Sequence, residues 1–494
     1  MATLLFLGAS VSQLPAIRYA RSAGHRVVAV DGDPKAVAFP FVDVAECIDF
    51  ADVARVAEAA LRLGVEGVLA ISTDRAVPPA AEIAARLGLA GIGIDVARAM
   101  TDKTLMRRRL EAAGVPQPRS AVVQADADLE TACATVEFPA VLKPADSGGQ
   151  RGIYLIESIE QARRLLPDVL AFSRSGSAML EEYVEGIELN GLFVARGGEP
   201  TLLTLSDRLR PSGPGFGVGW IHSFPSSLPA GVLAEAETVA RAAVRALGLE
   251  DGIAFPQLIA GPAGAVRVVE VAARIAAGQM ADLVSYGTGI NLFEIAIEQS
   301  LGRAVPDALA TPAFIRPIAI RFLTASPGVL PLGTVRAIEN LDAVRSSPGV
   351  LAADLYFGPG TTIGPLRVDA DRRGYVVATA ETPARALELA DAASRELVIR
   401  TMETERLPFA LGRRIRSRRL LLAAAVLLIL AVTASARATA RLRAGGSGLH
   451  GPGSHPAVVF CPTVRAGRAS PSRRSIERCV FNARRARVSG PASL

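Results

Sequence analysis

The sequence predicts an α/β protein, on three observations. Residues 1–95 alternate short apolar runs with amphipathic stretches, which is typical of βαβ units around a parallel sheet. A predicted strand at 138–144 leads through a glycine-rich turn into a returning strand at 153–156. Residues 252–271 contain two apolar runs joined by Gly-Pro-Ala-Gly, which indicates a hairpin. A chain of 494 residues, at about 100–200 residues per domain, should hold about three domains.

The first domain, over residues 1–95, is predicted to be a Rossmann-like scaffold. Asp31 closes the second strand, where a dinucleotide-binding Rossmann fold keeps the acid that contacts the ribose. The first turn begins at Gly8 but lacks the second and third glycines of the GxGxxG motif. We therefore do not expect a dinucleotide site in this domain.

Charge is distributed unevenly along the chain. The formal net charge is +6, but residues 412–494 hold sixteen arginines, no lysine and one acid, Glu477. Residues 1–411 therefore carry a net charge of −9. Binding to nucleic acid requires a basic face that neutralises phosphates. The charge distribution excludes a nucleic-acid partner for the body of the chain and favours small-molecule chemistry.

Lysine is rare in this chain, which has only Lys35, Lys103 and Lys143 against 51 arginines. A lysine supplies a compact point charge that arginine does not replace. Lys143 ends a strand directly before the glycine-rich turn, where backbone N–H groups can approach an anion. Lys103 lies in the first turn of a helix that Thr101 is predicted to cap, an unfavourable place for a cation unless an anion binds there too. Both lysines predict a phosphate site; a solvated surface charge is the alternative for each.

Acidic residues lie downstream of the two lysines. Glu181, Glu182 and Glu188 flank one strand, and Glu270 closes another, with Arg274 four residues further on. Carboxylates beside a triphosphate hold Mg²⁺, which bridges phosphate oxygens. An arginine can bind a substrate carboxylate through two parallel hydrogen bonds.

The order of these motifs resembles the ATP-grasp superfamily. The motifs are Asp102-Lys103, Lys143-Pro144, the loop Ser147–Gly152, Glu181-Glu182-Tyr183-Val184-x-Gly186-x-Glu188, and Glu270-x-x-x-Arg274. Within the superfamily the chain is most similar to carboxylate–amine ligases, including L-amino acid ligases. It is also similar to biotin carboxylase and the phosphoribosylaminoimidazole carboxylases.

The resemblance covers residues 1 to about 405 and implies a domain organisation. Residues 1–95 would form the Rossmann-like pre-ATP-grasp domain. Residues 96–305 would form a two-subdomain ATP-grasp fold, with its lid subdomain at about 116–178. Residues 306–405 would form a small α+β C-terminal domain.

The resemblance also implies a role for each site residue. Lys143 and Arg274 would be catalytic, with Arg274 binding the acyl phosphate or the substrate carboxylate. Glu181 and the backbone of 182–184 would bind adenine, and Glu188 would bind the ribose. The implied nucleotide-binding residues are Lys103, Lys143, Ser147, Gly148, Gly149, Gly152, Glu181, Glu182, Tyr183, Val184 and Glu188.

The implied metal ligands for Mg²⁺ or Mn²⁺ are Gln257 and Glu270, and here the chain departs from the family pattern. The first metal acid is usually Glu or Asp, but this chain has Gln257. The usual Asn two residues after the second metal acid is Ala272. An amide oxygen can still coordinate a hard cation, yet a site with one carboxylate is weaker. Loss of catalysis is therefore an open alternative.

The function implied is an ATP-dependent, ADP-forming ligase that activates a carboxylate as an acyl phosphate and joins it to an amine. One alternative is a carboxylase that phosphorylates bicarbonate, and another is a non-catalytic ATP-binding module associated with a membrane. The expected partners are a small-molecule acid and a small-molecule amine. A homodimer is common among similar proteins.

A basic and apolar segment at 412–443 is the candidate for membrane contact. It contains an uncharged run of 17 residues, 420–436, which would span about 25 Å as a helix and is at the lower limit for crossing a bilayer. The expectation is a cytoplasmic catalytic body anchored by this segment. A peripheral helix and a non-native tail are the open alternatives. Residues 444–494 are expected to be a disordered basic tail.

Overall fold

The structure, a computed structural model, describes residues 1–210 and 216–402. The described residues belong to one compact unit. Its first elements are β1 (Thr3–Leu7), α1 (Leu14–Ser22), β2 (Arg26–Val30), β3 (Val44–Glu46), α2 (Val53–Leu63), β4 (Gly67–Leu69), α3 (Val77–Leu87) and α4 (Ile94–Ala99).

These elements form a parallel sheet with helices, in the strand order β3-β2-β1-β4. After their first residues, Thr3 and Arg26, strands β1 and β2 consist of buried apolar residues, as expected for parallel strands covered on both faces. Helices α2 and α3 end at Gly64 and Gly88, whose φ angles of 67° and 66° are left-handed values that glycine adopts without strain. The alternation of strands and helices expected over residues 1–95 is present.

A four-stranded antiparallel sheet follows, in the order β5-β8-β6-β7. It has its own hydrophobic core, to which the two helices α6 and α7 contribute. The lid subdomain was predicted at about 116–178. The strand of this sheet that comes last in the chain runs from 178 to 182. The elements of this region are α5 (Lys103–Ala112), β5 (Ser120–Val123), α6 (Leu129–Thr135), β6 (Ala140–Pro144), β7 (Tyr154–Ile156), α7 (Ile159–Ala171) and β8 (Ala178–Glu182).

The remaining described residues form an eight-stranded antiparallel sheet and a small three-stranded sheet. Their elements are β9 (Ile187–Arg196), β10 (Glu199–Leu209), β11 (Ile221–Phe224), α8 (Ala230–Leu247), β12 (Gly252–Ala260), β13 (Val266–Ala272), α9 (Met280–Thr288), α10 (Leu292–Ser300), α11 (Asp307–Ala310), β14 (Ile318–Phe322), β15 (Gly333–Glu339), α12 (Leu341–Arg345), β16 (Val350–Leu355), β17 (Thr362–Ile363), β18 (Gly374–Thr379), α13 (Pro383–Glu396) and β19 (Val398–Met402).

The large sheet has the order β13-β12-β9-β10-β11-β14-β18-β16, and the small one β17-β15-β19. Strands β14, β18 and β16 come from residues 306–405, which were expected to form a small C-terminal domain. They extend the large sheet, and β14 pairs with β11 through four residues on each strand. One hydrophobic core also joins the parallel sheet to the large sheet, since Phe6 and Ile17 share it with Leu192 and Ile320.

The expectation of a membrane anchor is wrong on the present structure. Among the described residues, no helix combines the length and the apolar character needed to cross a bilayer. The segment 412–443, on which the expectation was based, and the tail 444–494 lie outside the described residues. We therefore withdraw the membrane anchor.

Candidate active site

Nearly all the predicted site residues line a single cavity of about 170 Å³. The exception is Gly152, which lines an adjoining groove instead. A Cβ at Gly152 would come within 2.7 Å of the Phe172 ring, so this glycine is needed for close packing. The predicted residues that line the cavity are Lys103, Lys143, Ser147, Gly148, Gly149, Glu181, Glu182, Tyr183, Val184, Glu188, Gln257, Glu270 and Arg274.

Lys143 forms a buried ion pair at one end of the cavity. Its Nζ lies 2.5 Å from Glu181 Oε2, and Arg107 Nη2 lies 3.0 Å from Glu181 Oε1. The side chains of all three residues are at most 5% exposed. Burial lowers the pKa of Lys143, although Glu181 opposes this. Burial disfavours the charge on Glu181, but Arg107 and Lys143 outweigh it and lower the pKa of this acid.

This ion pair fixes the carboxylate of Glu181, the side chain expected to bind adenine. Its two oxygens face Lys143 and Arg107. An adenine at Glu181 would have to share the carboxylate with these cations. Arg107 was missed in the sequence, although its spacing of four residues from Lys103 in α5 puts both on one helix face.

Lys103 connects the helix α5 to the glycine-rich loop. Its Nζ donates to Ser147 O at 3.0 Å and lies 3.4 Å from Glu270 Oε1. Its backbone N–H donates to Ala145 O at 2.9 Å. The helix is capped by Asp102, which accepts from the N–H groups of Thr104 and Leu105. Thr101 is not the cap as predicted, because its hydroxyl donates to a carbonyl of the preceding helix, α4.

Arg274 is held by an acid from the first domain. Its Nε and Nη2 lie 2.7 and 2.8 Å from the two carboxylate oxygens of Asp74. Asp74 reaches this position because Ile71 pairs with Ile275 in a β-bridge and Ser72 N–H donates to Ile275 O. Burial disfavours the charge on Asp74, yet Arg274 outweighs this and lowers its pKa.

Asp74 was not predicted as a site residue. A signal exists, because it follows β4 at the carboxyl end of a parallel strand, where α/β sheets bind ligands. The carboxylate also abuts the glycine-rich loop: a Cβ at Gly148 would lie 2.9 Å from Asp74 Oδ2. The loop, Asp74 and Arg274 therefore meet at one point of the cavity.

Glu188 is paired in the structure with two arginines of β10 and its continuation. Arg208 contacts it, and Arg210 Nε lies 3.0 Å from Glu188 Oε1. Burial disfavours the charge on Arg208, but Glu188 and Asp369 raise its pKa. A ribose at Glu188, as the sequence predicts, would have to share the carboxylate with these cations.

Comparisons with known proteins agree with this geometry. Residues 321–402 match the family model of L-amino acid ligase C-terminal domain 2. The chain is 29% identical to an uncharacterized protein, y4rH, of Sinorhizobium fredii over 295 residues, which is 56% of each chain. It is 22% identical over 311 residues to the L-arginine-specific L-amino acid ligase of Bacillus subtilis, covering 61% of this chain and 72% of that protein.

The structure is similar to that of L-amino acid ligase from Bacillus licheniformis. The TM-score is 0.71 at 19% identity, over 81% of this chain and 99% of the other. The chain is therefore similar to carboxylate–amine ligases of the ATP-grasp type, in sequence over part of its length and in fold over most of it. It spans only about half the length of y4rH. Other solved ATP-grasp structures of this fold contain ADP, and one contains ADP as its magnesium salt together with bicarbonate.

The other end of the cavity is lined by the polar residues Asn190, His222, Asp369 and Arg372. His222 of β11 is buried, and its Nδ1 lies 3.0 Å from Asn190 Nδ2. Arg372 lies over the Phe322 ring at 4.5 Å, and its Nη2 is 3.5 Å from Asp369 Oδ1. Burial, with Arg372 and Arg208 nearby, holds the pKa of His222 well below its usual value, so its imidazole is neutral.

The residues present do not fit the two-acid magnesium site expected of an ATP-grasp enzyme. Glu270 lies opposite Gln257 in the β12–β13 pairing, and its carboxylate is paired with Lys103. Ala272 has no polar side chain. In residues 1–210 and 216–402, no cluster of three or more His, Cys, Asp or Glu side chains could hold a metal ion.

Proposed function

We propose that this chain is an ATP-dependent ligase that joins a carboxylate substrate to an amine and releases ADP and phosphate. The observation that best supports this is the meeting of Lys103, Lys143 and Arg274 with the glycine-rich loop around one cavity. These three side chains come from different elements, and each is oriented by a specific acid: Glu270, Glu181 and Asp74, respectively.

The reaction would take place in two steps. A carboxylate oxygen of the substrate attacks the γ-phosphorus of ATP, the bond to the β-phosphate oxygen breaks, and an acyl phosphate and ADP form. The amine nitrogen then attacks the acyl carbon, the phosphate leaves with its electron pair, and the nitrogen loses a proton. A carboxylate oxygen is a poor leaving group and phosphate a good one, which is the reason for the first step.

The protein would contribute position and charge. Lys103 and Lys143 would bind the transferring phosphates, because two ammonium groups at one end of a buried cavity attract an anion strongly. Arg274 is fixed through Nε and Nη2 by Asp74. Its Nη1 makes only a long contact of 3.5 Å to Ile275 O, so the hydrogens left on Nη1 and Nη2 would serve the substrate carboxylate or the acyl phosphate. Fixing these donors before binding avoids a later cost of reorganisation.

The nucleotide would bind between the four-stranded and the eight-stranded antiparallel sheets. Glu181 and the backbone of residues 182–184, at the end of β8 and directly after it, line the cavity and would bind adenine. Ser147, Gly148 and Gly149 would lie over the phosphates, and Glu188 would accept hydrogen bonds from the ribose. Magnesium carried by ATP from solution would add charge neutralisation. A homodimer is part of the proposal, because one similar solved structure is described as a dimer.

The experiment that tests the proposal measures ADP release from ATP with pooled carboxylic acids and amines. The variant is Lys143→Ala, which removes one phosphate-binding ammonium group. We expect a loss of at least about 100-fold in rate, since removing one charged group at a transition state typically costs 10²–10³-fold. Lys35→Ala is the matched control, because Lys35 is exposed and lies outside the cavity.

Equal ADP release by the wild-type chain and Lys143→Ala would contradict the proposal. Thermal denaturation of both lysine variants shows whether a lost rate reflects lost folding. ADP release that depends on bicarbonate alone, without an organic acid, would instead identify a carboxylase-type reaction.

A second candidate function is ATP binding without turnover. Gln257 and Ala272 favour it, because they remove ligands that an ATP-grasp enzyme uses for its metal. Calorimetry with ATP or ADP distinguishes the two candidates. Tight nucleotide binding, with no ADP release across broad pools of acids and amines, would support the binding module.

A further inference from the structure

Gln257 is engaged by a neighbouring side chain rather than left free to bind a metal. In the register of the large sheet it lies opposite Asn190 of β9 on one side and Glu270 of β13 on the other. Directly opposite residues of paired strands present their side chains on the same face. Gln257 Nε2 lies 3.5 Å from Asn190 Oδ1, with the amide nitrogen as the donor. A glutamate at this position could not donate this hydrogen bond.

Asn190 also contacts His222. Because its oxygen accepts from Gln257, its amide nitrogen faces the imidazole. Its side chain is fully buried, and its Nδ2 lies 3.0 Å from His222 Nδ1. An amide nitrogen carries hydrogens and no acceptor lone pair, so Asn190 donates and Nδ1 of the imidazole accepts. A neutral imidazole with an accepting Nδ1 has its proton on Nε2.

The second nitrogen of His222 is on the side away from Asn190. A Cβ at Gly278 would lie 3.5 Å from His222 Nε2 and 3.3 Å from Arg372 Nη1, so this glycine leaves space beside both groups. The ring packs edge-on against Phe322, with centroids 5.2 Å apart, which fixes its plane. His222 lines the cavity, so its Nε2–H is a neutral donor available to an oxygen of a bound ligand.

We propose that Gln257 is a positioning residue and not a metal ligand: its amide holds Asn190 so that His222 keeps its proton on Nε2. In an ATP-grasp site an acid at this position binds the metal. Here Gln257 instead begins a chain of hydrogen bonds that runs through Asn190 to His222. The cavity therefore has one metal-binding carboxylate fewer than a usual ATP-grasp site. It has instead a fixed neutral donor, the Nε2–H group of His222. The proposal does not rest on the ligase reaction, because the tautomer of His222 exists without substrate.

The test is to observe the histidine tautomers by NMR in the full chain labelled with ¹⁵N-histidine. The chain has only four histidines, and the signals that disappear in His222→Gln belong to His222. We expect the wild-type His222 to be neutral and protonated on Nε2. In Gln257→Glu, the carboxylate can only accept, so Asn190 should turn its N–H groups toward it and its oxygen toward His222. The proton of His222 should then move to Nδ1.

Two further variants make the test decisive. Asn190→Asp removes the donor itself and should place the His222 proton on Nδ1 whatever residue stands at position 257. Gln299→Glu is the matched control, because Gln299 donates to Ala195 O at 2.9 Å and lies outside the cavity. It should leave the His222 signals unchanged. Wild-type His222 protonated on Nδ1 would overturn the proposal, and so would an Nε2–H tautomer that persists in both cavity variants.

A metal titration gives an independent readout. Free Mn²⁺ is followed by electron paramagnetic resonance as the chain is added. Gln257→Glu places a second carboxylate opposite Glu270, so we expect it to bind Mn²⁺ at least about tenfold more tightly than the wild type. Mn²⁺ binding by the wild-type chain that is as tight as binding by Gln257→Glu would show that residue 257 already acts as a metal ligand, which contradicts the proposal.

Discussion

Three acids each orient one cation of the candidate site. Glu181 holds Lys143, Glu270 lies beside Lys103, and Asp74 holds Arg274. Such pairs lose much of their Coulomb gain to desolvation, so they are better explained by position than by stability. A cation fixed before the substrate arrives needs no reorganisation in the transition state.

At this scale we predict strong coupling between Asp74 and Arg274. Asp74→Asn should lower the free energy of unfolding by about 3 kcal/mol, because it leaves Arg274 buried without its charge partner. In a double-mutant cycle with Arg274→Gln, the two changes should be non-additive by about 1–3 kcal/mol. Urea denaturation of the four chains measures this.

The matched control for that cycle is the exposed pair Arg345–Asp342. Its side chains are 44% and 96% exposed, against 11% and 25% for Arg274 and Asp74. Exposed ion pairs contribute little, so its coupling should be near zero. A coupling for Asp74 and Arg274 as small as that of the control would mean that Asp74 does not hold the arginine in solution.

At the scale of elements, helix α9 begins beside the cavity and carries a partly buried acid. Asp282 lies in its first turn and accepts from Gln279 Nε2 at 2.6 Å. Burial raises the pKa of Asp282 from 3.8 to about 6, although the Gln279 hydrogen bond opposes this. Ionising Asp282 is therefore unfavourable in α9, the helix that also places Met280 in the lining of the cavity.

We predict that Asp282 makes the stability of the chain depend on pH. Its pKa is higher in the folded than in the unfolded state, so the folded state binds more protons between about pH 4 and pH 6, and stability falls as pH rises through this window. Asp282→Asn has no charge to bury. Above pH 6, the free energy of unfolding of this variant should exceed that of the wild type by about 3 kcal/mol at most, which corresponds to a pKa difference of about two units. Below pH 4 the two chains should be equally stable.

Chemical denaturation at several pH values checks this gain. Asp95→Asn is the control, since Asp95 lies in the first turn of α4 but is exposed. A gain for Asp282→Asn that is the same at pH 4 and pH 7 would show that burial of the charge is not its cause.

At the scale of the whole molecule, the cavity joins regions that are distant in sequence. Asp74 comes from the parallel sheet, Lys143 from the four-stranded sheet, and Glu270 and Asp369 from the large sheet and its C-terminal part. The N–H of Asp369 also donates to Gly149 O in the glycine-rich loop. A ligand in this cavity would therefore bind to all of these regions at once.

We predict that ADP protects these distant segments together from hydrogen exchange. Saturating ADP should slow exchange at 147–150 and 181–184, and also at 72–76 and 369–372, which the loop contacts. The turn at 33–35 lies outside the cavity and should not change. Protection confined to 181–184 would show that the loop, Asp74 and Asp369 do not respond to the nucleotide as one unit.

The sequence was informative where chemistry requires a particular residue type. Lys103 and Lys143 stood out because lysine is so rare in the chain, and Glu270 and Arg274 because of their spacing. All four line the cavity. The sequence was less informative about partners. It did not indicate that Lys143 and Arg107 pair with the carboxylate of Glu181. A charge buried on a strand is neutralised by whatever packs against it once the chain has folded.

The sequence by itself determined the α/β class, the resemblance to the ATP-grasp superfamily and most of the residues around the cavity, because these depend on local periodicity and on motifs of a few residues. Only the tertiary structure decided that Asp74 holds Arg274, that Gln257 bonds to Asn190, and that β14, β16 and β18 extend the large sheet. These features depend on contacts between residues up to 200 positions apart. Such contacts leave no local pattern, since they are fixed by how strands align and side chains pack once the chain has folded.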